Sequence, residues 1–195
     1  MEDFTNRFLF RDIRADEADQ AAEMEQICFP PHEACRPEIM RQRVAKAPDM
    51  FLVAEDVSTG RLAGLINGLP TSAPAFSDDA FTGFGMYDPD GERMFLAGVE
   101  VLPAYRHSGL AHAMMKELAE REKRKGRKEI LLTCLPEKLT FYEEMGYENR
   151  GISASAWGAQ RRLTKPLERT GLELMTKGVT SCRVLNSRFS SPSWP

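Results

Sequence analysis

The sequence lacks the features typical of secreted, membrane-spanning and metal-binding proteins. Its four cysteines form no C-x-x-C pair, and Cys28, His32 and Cys35 have no fourth ligand at a normal spacing, so we expect free thiols and no metal. The acidic N-terminal segment has no apolar signal-peptide core, and no apolar run reaches the length of a membrane span. A net charge of −3 gives no general reason to bind nucleic acid or anionic lipid. We therefore expect a cytoplasmic protein with no nucleic-acid and no membrane partner.

Two common phosphate-binding loops are missing as well. The nucleotide-binding loop G-x-x-x-x-G-K-[ST] needs a lysine after its second glycine, and no lysine follows Gly109. The dinucleotide fingerprint needs three glycines, whereas the turn from Arg106 to Ala111 has one. The sequence also has no internal repeat, so its 195 residues are expected to form one domain rather than a repeat array.

The most informative stretch is a predicted strand, turn and helix between Met94 and Lys125. The apolar run from Met94 to Leu102 is typical of a buried strand, and Pro103 ends it. From Leu110 to Lys125 the apolar residues recur with a helical period. The turn between them, Arg-x-x-Gly-x-Ala, therefore opens onto a helix N-terminus, whose unpaired N–H groups and partial positive charge favour an anion.

The remaining pattern predicts an α/β fold with a mixed, mostly antiparallel central sheet flanked by helices. A helix capped by Asp16 should turn five residues inward: Ala18, Ala21, Met24, Ile27 and Cys28. The other predicted helices are 37–46 and 137–145, and the other predicted strands are 8–14, 50–55, 62–68, 130–134 and 152–157. The helix after the central strand should cross to a parallel neighbour.

Three other segments carry specific expectations. The long loop from Pro70 to Glu92 contains Phe76, Phe81, Phe84 and Tyr87, which either line a site or pin the loop to the core. The basic run 123–128 is expected to be a solvated helix end. The spacing of Glu117 with Arg121 and of Glu120 with Arg124 predicts ion pairs on an exposed helix face.

A second motif, Phe141-Tyr142-x-x-x-Gly146-Tyr147, follows the turn at the separation of one helix and one strand. Together the two motifs resemble the signatures of the GNAT superfamily of acetyl-CoA-dependent N-acetyltransferases. Within it, the chain is most similar to the serotonin (arylalkylamine) N-acetyltransferase family and its bacterial relatives. That similarity extends over a domain of residues 8–160 and is carried by four stretches: 28–35, 132–134, 141–147 and 151–158.

The resemblance implies acetyl-CoA as cosubstrate, no metal, and a small-molecule amine as acceptor. It implies that backbone groups of Val99, Glu100 and Val101 pair with the pantetheine arm. It further implies that the pyrophosphate lies on the turn, which comprises Arg106, His107, Ser108, Gly109, Leu110, Ala111 and His112. Tyr142 matches the tyrosine that protonates departing coenzyme A, and a phenol is protonated at neutral pH. Acceptor contacts are expected from His32, Glu33 and Thr133.

Two departures from the family pattern leave alternatives open. Phe95 and Ala97 occupy the positions of two proton-relaying histidines, so Glu100 either acts as base through water or merely pairs with a basic side chain. The alternatives to a small-amine N-acetyltransferase are a protein or peptide N-acetyltransferase and a catalytically silent CoA-binding domain. The segment 160–166 is basic and ends in proline where relatives have an apolar strand, and the tail 161–195 is expected to be poorly ordered. Either residues 179–185 supply a substitute strand or the sheet keeps an unpaired edge.

Overall fold

The computed structural model of the chain describes residues 4–75, 84–153 and 160–167. Within these ranges seven strands form one sheet with helices on both faces. The strands are β1 Phe8–Arg11, β2 Phe51–Asp56, β3 Arg61–Thr71, β4 Arg93–Val101, β5 Glu129–Cys134, β6 Glu148–Ile152 and β7 Arg161–Pro166. The helices are α1 Phe4–Arg7, α2 Ala18–Cys28, α3 Pro37–Lys46, α4 Leu110–Arg124 and α5 Leu139–Glu143.

The strand order is β1-β2-β3-β4-β5-β7-β6, and every neighbouring pair is antiparallel except β4 with β5. The predicted hairpin of β2 and β3 and the predicted α4 crossover to a parallel strand are therefore confirmed. So is the predicted fold class, a mixed and mostly antiparallel sheet between helices. No helix among the described residues has the length and apolar character needed to cross a membrane.

Two apolar cores cover the two faces of the sheet. On one face, Met114, Met115 and Leu118 of α4 pack against residues such as Leu96 and Ile130. On the other face, α2 and α3 pack against alternate strand residues, with a core that includes Met24, Met40, Val53, Leu65 and Phe95. Full burial of one such side chain stabilises the fold by roughly 1.5–3 kcal/mol. The central strand β4 thus contributes to both cores, as its continuous apolar pattern predicted.

Helix α2 differs in one respect from its predicted inward face. A short 3-10 turn, Ala15–Glu17, precedes the helix, and Glu17 rather than Asp16 occupies the N-cap position. Ile27 was predicted to face inward, but it is 47% exposed, while Glu25 is buried. The helix is rotated so that a carboxylate takes a place that hydrophobicity alone would give to isoleucine.

The C-terminal end of α4 also differs from its prediction. Arg121 is buried and donates hydrogen bonds to Asp12, Glu122 and the Phe51 carbonyl instead of pairing with Glu117. Arg124 pairs with Glu117 rather than with Glu120. Helical spacing alone could not predict this, because the carboxylate of Asp12 and the carbonyl of Phe51 come from distant segments.

The basic run 123–128 is not entirely solvated either, because Arg127 is buried. Its Nε donates to the buried Glu122 carboxylate at 2.6 Å, and its Nη atoms donate to the carbonyls of Gly91 and Pro89. Arg127 therefore ties the loop before β4 to the end of α4. Charge balance explains its burial, since the guanidinium compensates the Glu122 carboxylate.

The long loop before β4 is pinned to the core by its described aromatics. Phe84 and Tyr87 pack edge-to-face with ring centroids 6.2 Å apart, and the Tyr87 hydroxyl donates to Asp49 at 2.9 Å. Both contact the core beneath α2 and α3. This supports the pinning alternative for these two residues, whereas Phe76 and Phe81 lie outside the described residues.

The basic segment that ends in Pro166 forms β7 and fills the sheet between β5 and β6. Its strand character was obscured by Arg161, Arg162 and Lys165, while Leu163 is buried in the core on the α4 side. Pro166 does not prevent this, because it is the last residue of the strand. The predicted strand 152–157 begins earlier, as β6 Glu148–Ile152, and residues 154–157 and the alternative strand 179–185 lie outside the described ranges.

Candidate functional site

The central feature of the candidate site is the place where the parallel strands β4 and β5 separate. Their register pairs Arg93–Leu96 with Glu129–Leu132 and stops there, although β4 continues to Val101 and β5 to Cys134. The remainder of β5 pairs with β7 on its other side. Residues 97–101 therefore keep one edge of backbone N–H and C=O groups without a strand partner, and an extended ligand can pair with such an edge.

A β-bulge at Ala97 marks the start of this open edge. Asn67 of β3 pairs with Gly98 and Gly68 pairs with Leu96, so β4 has one extra residue at position 97. The bulge reverses the alternation of the strand. Before it, Leu96 faces α4 and Phe95 faces α2; after it, Val99 and Val101 pack on the α4 side.

The bulge consequently turns Glu100 toward α2. Glu100 is completely buried, and neither carboxyl oxygen has a hydrogen-bond partner. The carboxyl group of Glu25 in α2 faces it closely enough to act on it through its charge and a hydrogen bond, although the geometry of that bond is not regular. Burial first, and then the charge of Glu25, raise the pKa of Glu100 well above its usual range. The predicted alternative of an ion pair with a basic side chain is wrong, because no salt bridge to Glu100 is formed in the described part of the chain.

The turn after β4 leads into the N-terminus of α4 with an unusual backbone. His107 has a φ of 59° and Gly109 a φ of 89°, and both values lie in the left-handed region. Gly109 is the N-cap of α4, and no side chain caps the helix. The Ser108 hydroxyl donates to the Tyr105 carbonyl at 2.7 Å and so braces the turn. The first amides of a 15-residue helix are thus available to an anion at the end of the open edge.

Arg106 is anchored at the junction of β4 and this turn. Its Nε donates to the Val101 carbonyl at 2.9 Å. The Cys28 thiol donates to the same carbonyl at 3.6 Å, and burial raises the pKa of Cys28. The guanidinium therefore lies between the last residue of β4 and the last residue of α2, which is consistent with a fixed positive charge near the turn.

Helix α5 places Tyr142 against both the turn and β5. The Phe141 ring packs edge-to-face on His112 of α4 with centroids 4.6 Å apart. The Tyr142 ring packs on Phe141 at 5.0 Å and on Tyr147 at 5.7 Å. Burial, with a smaller contribution from Cys134, raises the pKa of Tyr142 above its usual 10.0, so the phenol is a proton donor at neutral pH. Its hydroxyl makes no hydrogen bond to any described residue, and it is free to donate one to a ligand.

Of the three predicted acceptor residues, His32 and Glu33 are neighbours in one loop, whereas Thr133 lies on a strand. His32 and Glu33 are largely exposed in the loop after α2 and lie 3.5 Å from each other. Thr133 lies on β5 opposite Arg162 and is half-buried. Of the two positions at which the resemblance leads one to expect histidine, Phe95 is fully buried in the α2-side core and Ala97 forms the bulge.

Two residues near Glu100 were missed by sequence reasoning. Glu25 occupies the inward stripe of α2, and Asn67 is a polar residue inside the otherwise apolar strand β3. Asn67 is buried, and its Oδ1 has no hydrogen-bond partner. Both could have been found from the sequence, because each is a charged or polar residue at a position where the helix or strand periodicity predicts a core residue.

Comparisons with known proteins agree with this geometry. The family model described as the acetyltransferase (GNAT) family matches residues 18–147. No curated protein matches the chain by sequence. Among solved structures, the loading GNATL domain of CurA from Lyngbya majuscula superposes with a TM-score of 0.71 at 13% identity, covering 82% of this chain and 98% of that domain.

Two further solved structures illustrate the range of chemistry found on this fold. The GphF GNAT-like decarboxylase in complex with isobutyryl-CoA has a TM-score of 0.68 at 18% identity and covers 82% of this chain and 100% of that one. The ribosomal-protein-S18-alanine N-acetyltransferase from Escherichia coli has a TM-score of 0.56 at 15% identity, and the match covers 84% of this chain and 96% of that one. At these identities the similarity establishes the fold alone.

Proposed function

Because the chain belongs to the acetyltransferase (GNAT) family, we propose that it transfers the acetyl group of acetyl-CoA to a primary amine. The observation that carries the proposal is the open edge of β4, which runs from the bulge at Ala97 into the uncapped N-terminus of α4. Tyr142 lies near Cys134, the last residue of β5. In the proposed site these elements together supply backbone pairing, an anion site and a proton donor.

The residues present fit a coenzyme A thioester. Backbone groups of Val99, Glu100 and Val101 on the open edge can pair with the amides of a pantetheine arm, apart from the Val101 carbonyl, which already accepts from Arg106 and Cys28. The amides of residues 107–112 can hold the pyrophosphate at the N-terminus of α4, with Arg106 adding a positive charge. Acetyl-CoA supplies an activated acyl thioester. Its binding needs no side-chain chemistry from Val99 or Val101, which also pack in the α4-side core.

Two side chains have proposed roles in proton transfer during direct attack by an amine. The amine nitrogen forms a bond to the acetyl carbon, the carbon–sulfur bond breaks, and the nitrogen gives up a proton. Glu100, once ionised, is the acceptor for that proton, directly or through water. Tyr142 donates a hydrogen bond to the departing thiolate. Positioning of the two reactants supplies most of the rate, because a deprotonated amine is already a good nucleophile.

The proposed acceptor is a small arylalkylamine. The support is the similarity of residues 28–35, 132–134 and 151–158 to the serotonin N-acetyltransferase family. His32, Glu33 and Thr133 are the proposed acceptor contacts on the loop after α2 and on β5. A second candidate is a catalytically silent CoA-binding domain, which is favoured by Phe95 and Ala97, since neither can carry a proton. Acetylation of a protein or peptide is the other enzymatic alternative.

Turnover across an amine panel tests the proposal. Purified protein is incubated with acetyl-CoA and arylalkylamines, polyamines or peptides, and thiol release is followed while CoA binding is measured separately by calorimetry. We expect CoA binding and thiol release with at least one arylalkylamine. Release with peptides alone would instead identify a protein or peptide acetyltransferase, and CoA binding without release from any acceptor would identify a silent domain.

A further inference from the structure

The face of β3 and β4 that looks toward α2 carries a group of buried oxygen atoms that the cofactor site does not use. We call the three residues concerned, Glu25, Asn67 and Glu100, the oxygen cluster. Asn67 of β3 is directly opposite Gly98 of β4. The Oε1 atom of Glu100 lies 3.5 Å from the point that a Cβ atom would occupy if Gly98 had a side chain. Because the bulge at Ala97 turns Glu100 toward α2, its carboxyl group lies beside that of Glu25. Strand alternation places Asn67 on this same face, between Leu65 and Leu69.

The cluster has acceptor atoms without donors. Both carboxyl oxygens of Glu100 and the Oδ1 of Asn67 are buried without hydrogen-bond partners, and these two residues are 0% and 2% exposed. Glu25 accepts one hydrogen bond, from the Cys35 backbone N–H at 2.7 Å. No lysine, arginine or histidine of the described residues forms a salt bridge with Glu25 or Glu100. Buried polar atoms in native proteins are nearly always paired. A protonated Glu100 can give Glu25 one donor, and the remaining acceptor atoms of the cluster need donors from elsewhere.

The chemistry of the missing partner follows from this inventory. A ligand that satisfies three acceptor oxygens must be rich in donors, and one that compensates buried carboxylates must be positive. A primary ammonium group has three N–H donors and one positive charge. We propose that the oxygen cluster binds the acceptor substrate as a protonated primary amine, with its –NH3⁺ group held by Glu25, Asn67 and Glu100. This inference rests on the proposed function, because it places the acceptor beside the open edge of β4.

Access to the cluster involves Phe29. Its ring lies 3.5 Å from the Cβ position of Gly98, next to Glu100, and the residue is half-buried at the end of α2. In the proposed complex this ring is displaced, and the acceptor enters from the side of the loop after α2. That loop carries His32 and Glu33.

The proton balance of the step is simple. As the ammonium group enters, a protonated Glu100 releases its proton to solvent and becomes the partner carboxylate. The ammonium then transfers one proton to that carboxylate, which leaves a neutral amine whose lone pair attacks the acetyl carbon. Glu100 passes this proton to solvent and is again ionised to accept, directly or through water, the second proton that the nitrogen loses as the carbon–sulfur bond breaks. The departing thiolate takes up a proton from solvent. The groups facing Glu100 are Glu25, Cys28 and Cys35. Beyond them, Arg106 faces Cys28, while Arg43, Arg36 and Glu38 face Cys35.

A pair of neutral and cationic probes tests the proposal. The affinities of 2-phenylethylamine and 2-phenylethanol are measured by calorimetry at pH 6 and pH 8 with saturating CoA, so that no acetyl transfer occurs. We expect the amine to bind at least about tenfold more tightly than the alcohol, since a hydrogen bond to a charged group is worth about that much. Amine affinity should rise from pH 6 to pH 8, because Glu100 must lose its proton to pair with the ammonium.

Variants separate this role from a structural one. Glu25→Gln and Glu100→Gln should each remove the preference for the amine, and Glu100→Gln should also remove its pH dependence. Glu23→Gln, an exposed carboxylate on the same helix, is the matched control and should change neither. Equal affinity for the two probes, binding of neither, or an unchanged preference in both cluster variants would overturn the inference. Failure of the wild-type protein to bind CoA in the same experiment would instead contradict the proposed function.

Discussion

Replacing Tyr142 with phenylalanine isolates the contribution of one hydroxyl group to the reaction. The Tyr142 ring packs on Phe141 and Tyr147, and phenylalanine keeps both contacts. The hydroxyl makes no hydrogen bond to any described residue, so its removal leaves no unpaired partner within that part of the chain. We therefore expect the variant to fold with nearly unchanged stability, and a loss of rate then reports on chemistry.

The size of the expected loss follows from the acidities involved. The pKa of Tyr142 is raised above 10.0 by burial, whereas an alkyl thiol has a pKa of about 8.5. Complete proton transfer to the thiolate is uphill, so Tyr142 acts mainly as a hydrogen-bond donor to it. A hydrogen bond to a charged group contributes about 1.5–3 kcal/mol. Loss of that contribution in the transition state lowers kcat by roughly 10- to 150-fold.

The assay is steady-state thiol release with acetyl-CoA and the best amine, together with CoA affinity by calorimetry. Tyr147→Phe is the matched control, because its ring packs on Tyr142 and its hydroxyl is buried without a hydrogen-bond partner. We expect Tyr147→Phe to keep kcat and to be at least as stable as the wild type. A kcat for Tyr142→Phe within twofold of the wild type, or an equal loss in both variants, would refute the reasoning.

Three further predictions concern stability and the turn. Arg127→Met should lower the free energy of unfolding, measured in urea, by about 3 kcal/mol, because the buried Glu122 carboxylate then loses one of the cations that balance its charge. Lys128→Met, at an exposed ion pair, is the control and should change the free energy of unfolding by less than about 0.5 kcal/mol. Equal effects of the two substitutions would contradict this. Gly109→Ala should lower the free energy of unfolding by about 1 kcal/mol and weaken CoA binding. Gly60→Ala, at a residue that also has a positive φ, should destabilise the protein as much without changing CoA affinity. Unchanged CoA affinity in both variants would contradict the proposal that the turn binds CoA. Because the pKa of Glu100 is raised in the folded protein, the stability of the wild type should fall as the pH rises from the usual pKa of 4.5 through the folded-state pKa. Thermal scans at pH 5 and pH 8 should show this fall in the wild type and not in Glu100→Gln. A fall as large in the variant would mean that other groups cause the pH dependence.

The parts of the fold that depend on local pattern could be predicted from the sequence. The strand, turn and helix around Gly109 and the helix Pro37–Lys46 follow from hydrophobic period and from proline and glycine positions. The parallel pairing of β4 and β5 follows from the crossover helix between them. These features involve few competing arrangements, so sequence period alone was sufficient.

The direction of Glu100 could not be predicted in the same way. Alternation along a strand predicts the face on which each side chain lies only if every residue is paired with the neighbouring strand. The extra residue at Ala97 breaks this pairing, so the side chains after it lie on the opposite face from the one that alternation predicts. The role of β7 was missed because three of its six residues, Arg161, Arg162 and Lys165, are basic, although Leu163 and Thr164 are buried. Buried charges such as Arg127 depend on partners from distant segments, which spacing within one helix does not reveal.

The most direct test of the account is a crystal structure of the protein with coenzyme A. We predict that the pantetheine arm pairs with the backbone of residues 99–101 and that the pyrophosphate lies on the amides of residues 107–112. The sulfur should lie within hydrogen-bonding distance of the Tyr142 hydroxyl. Coenzyme A bound away from the open edge of β4, or bound there with its sulfur out of reach of Tyr142, would contradict the account.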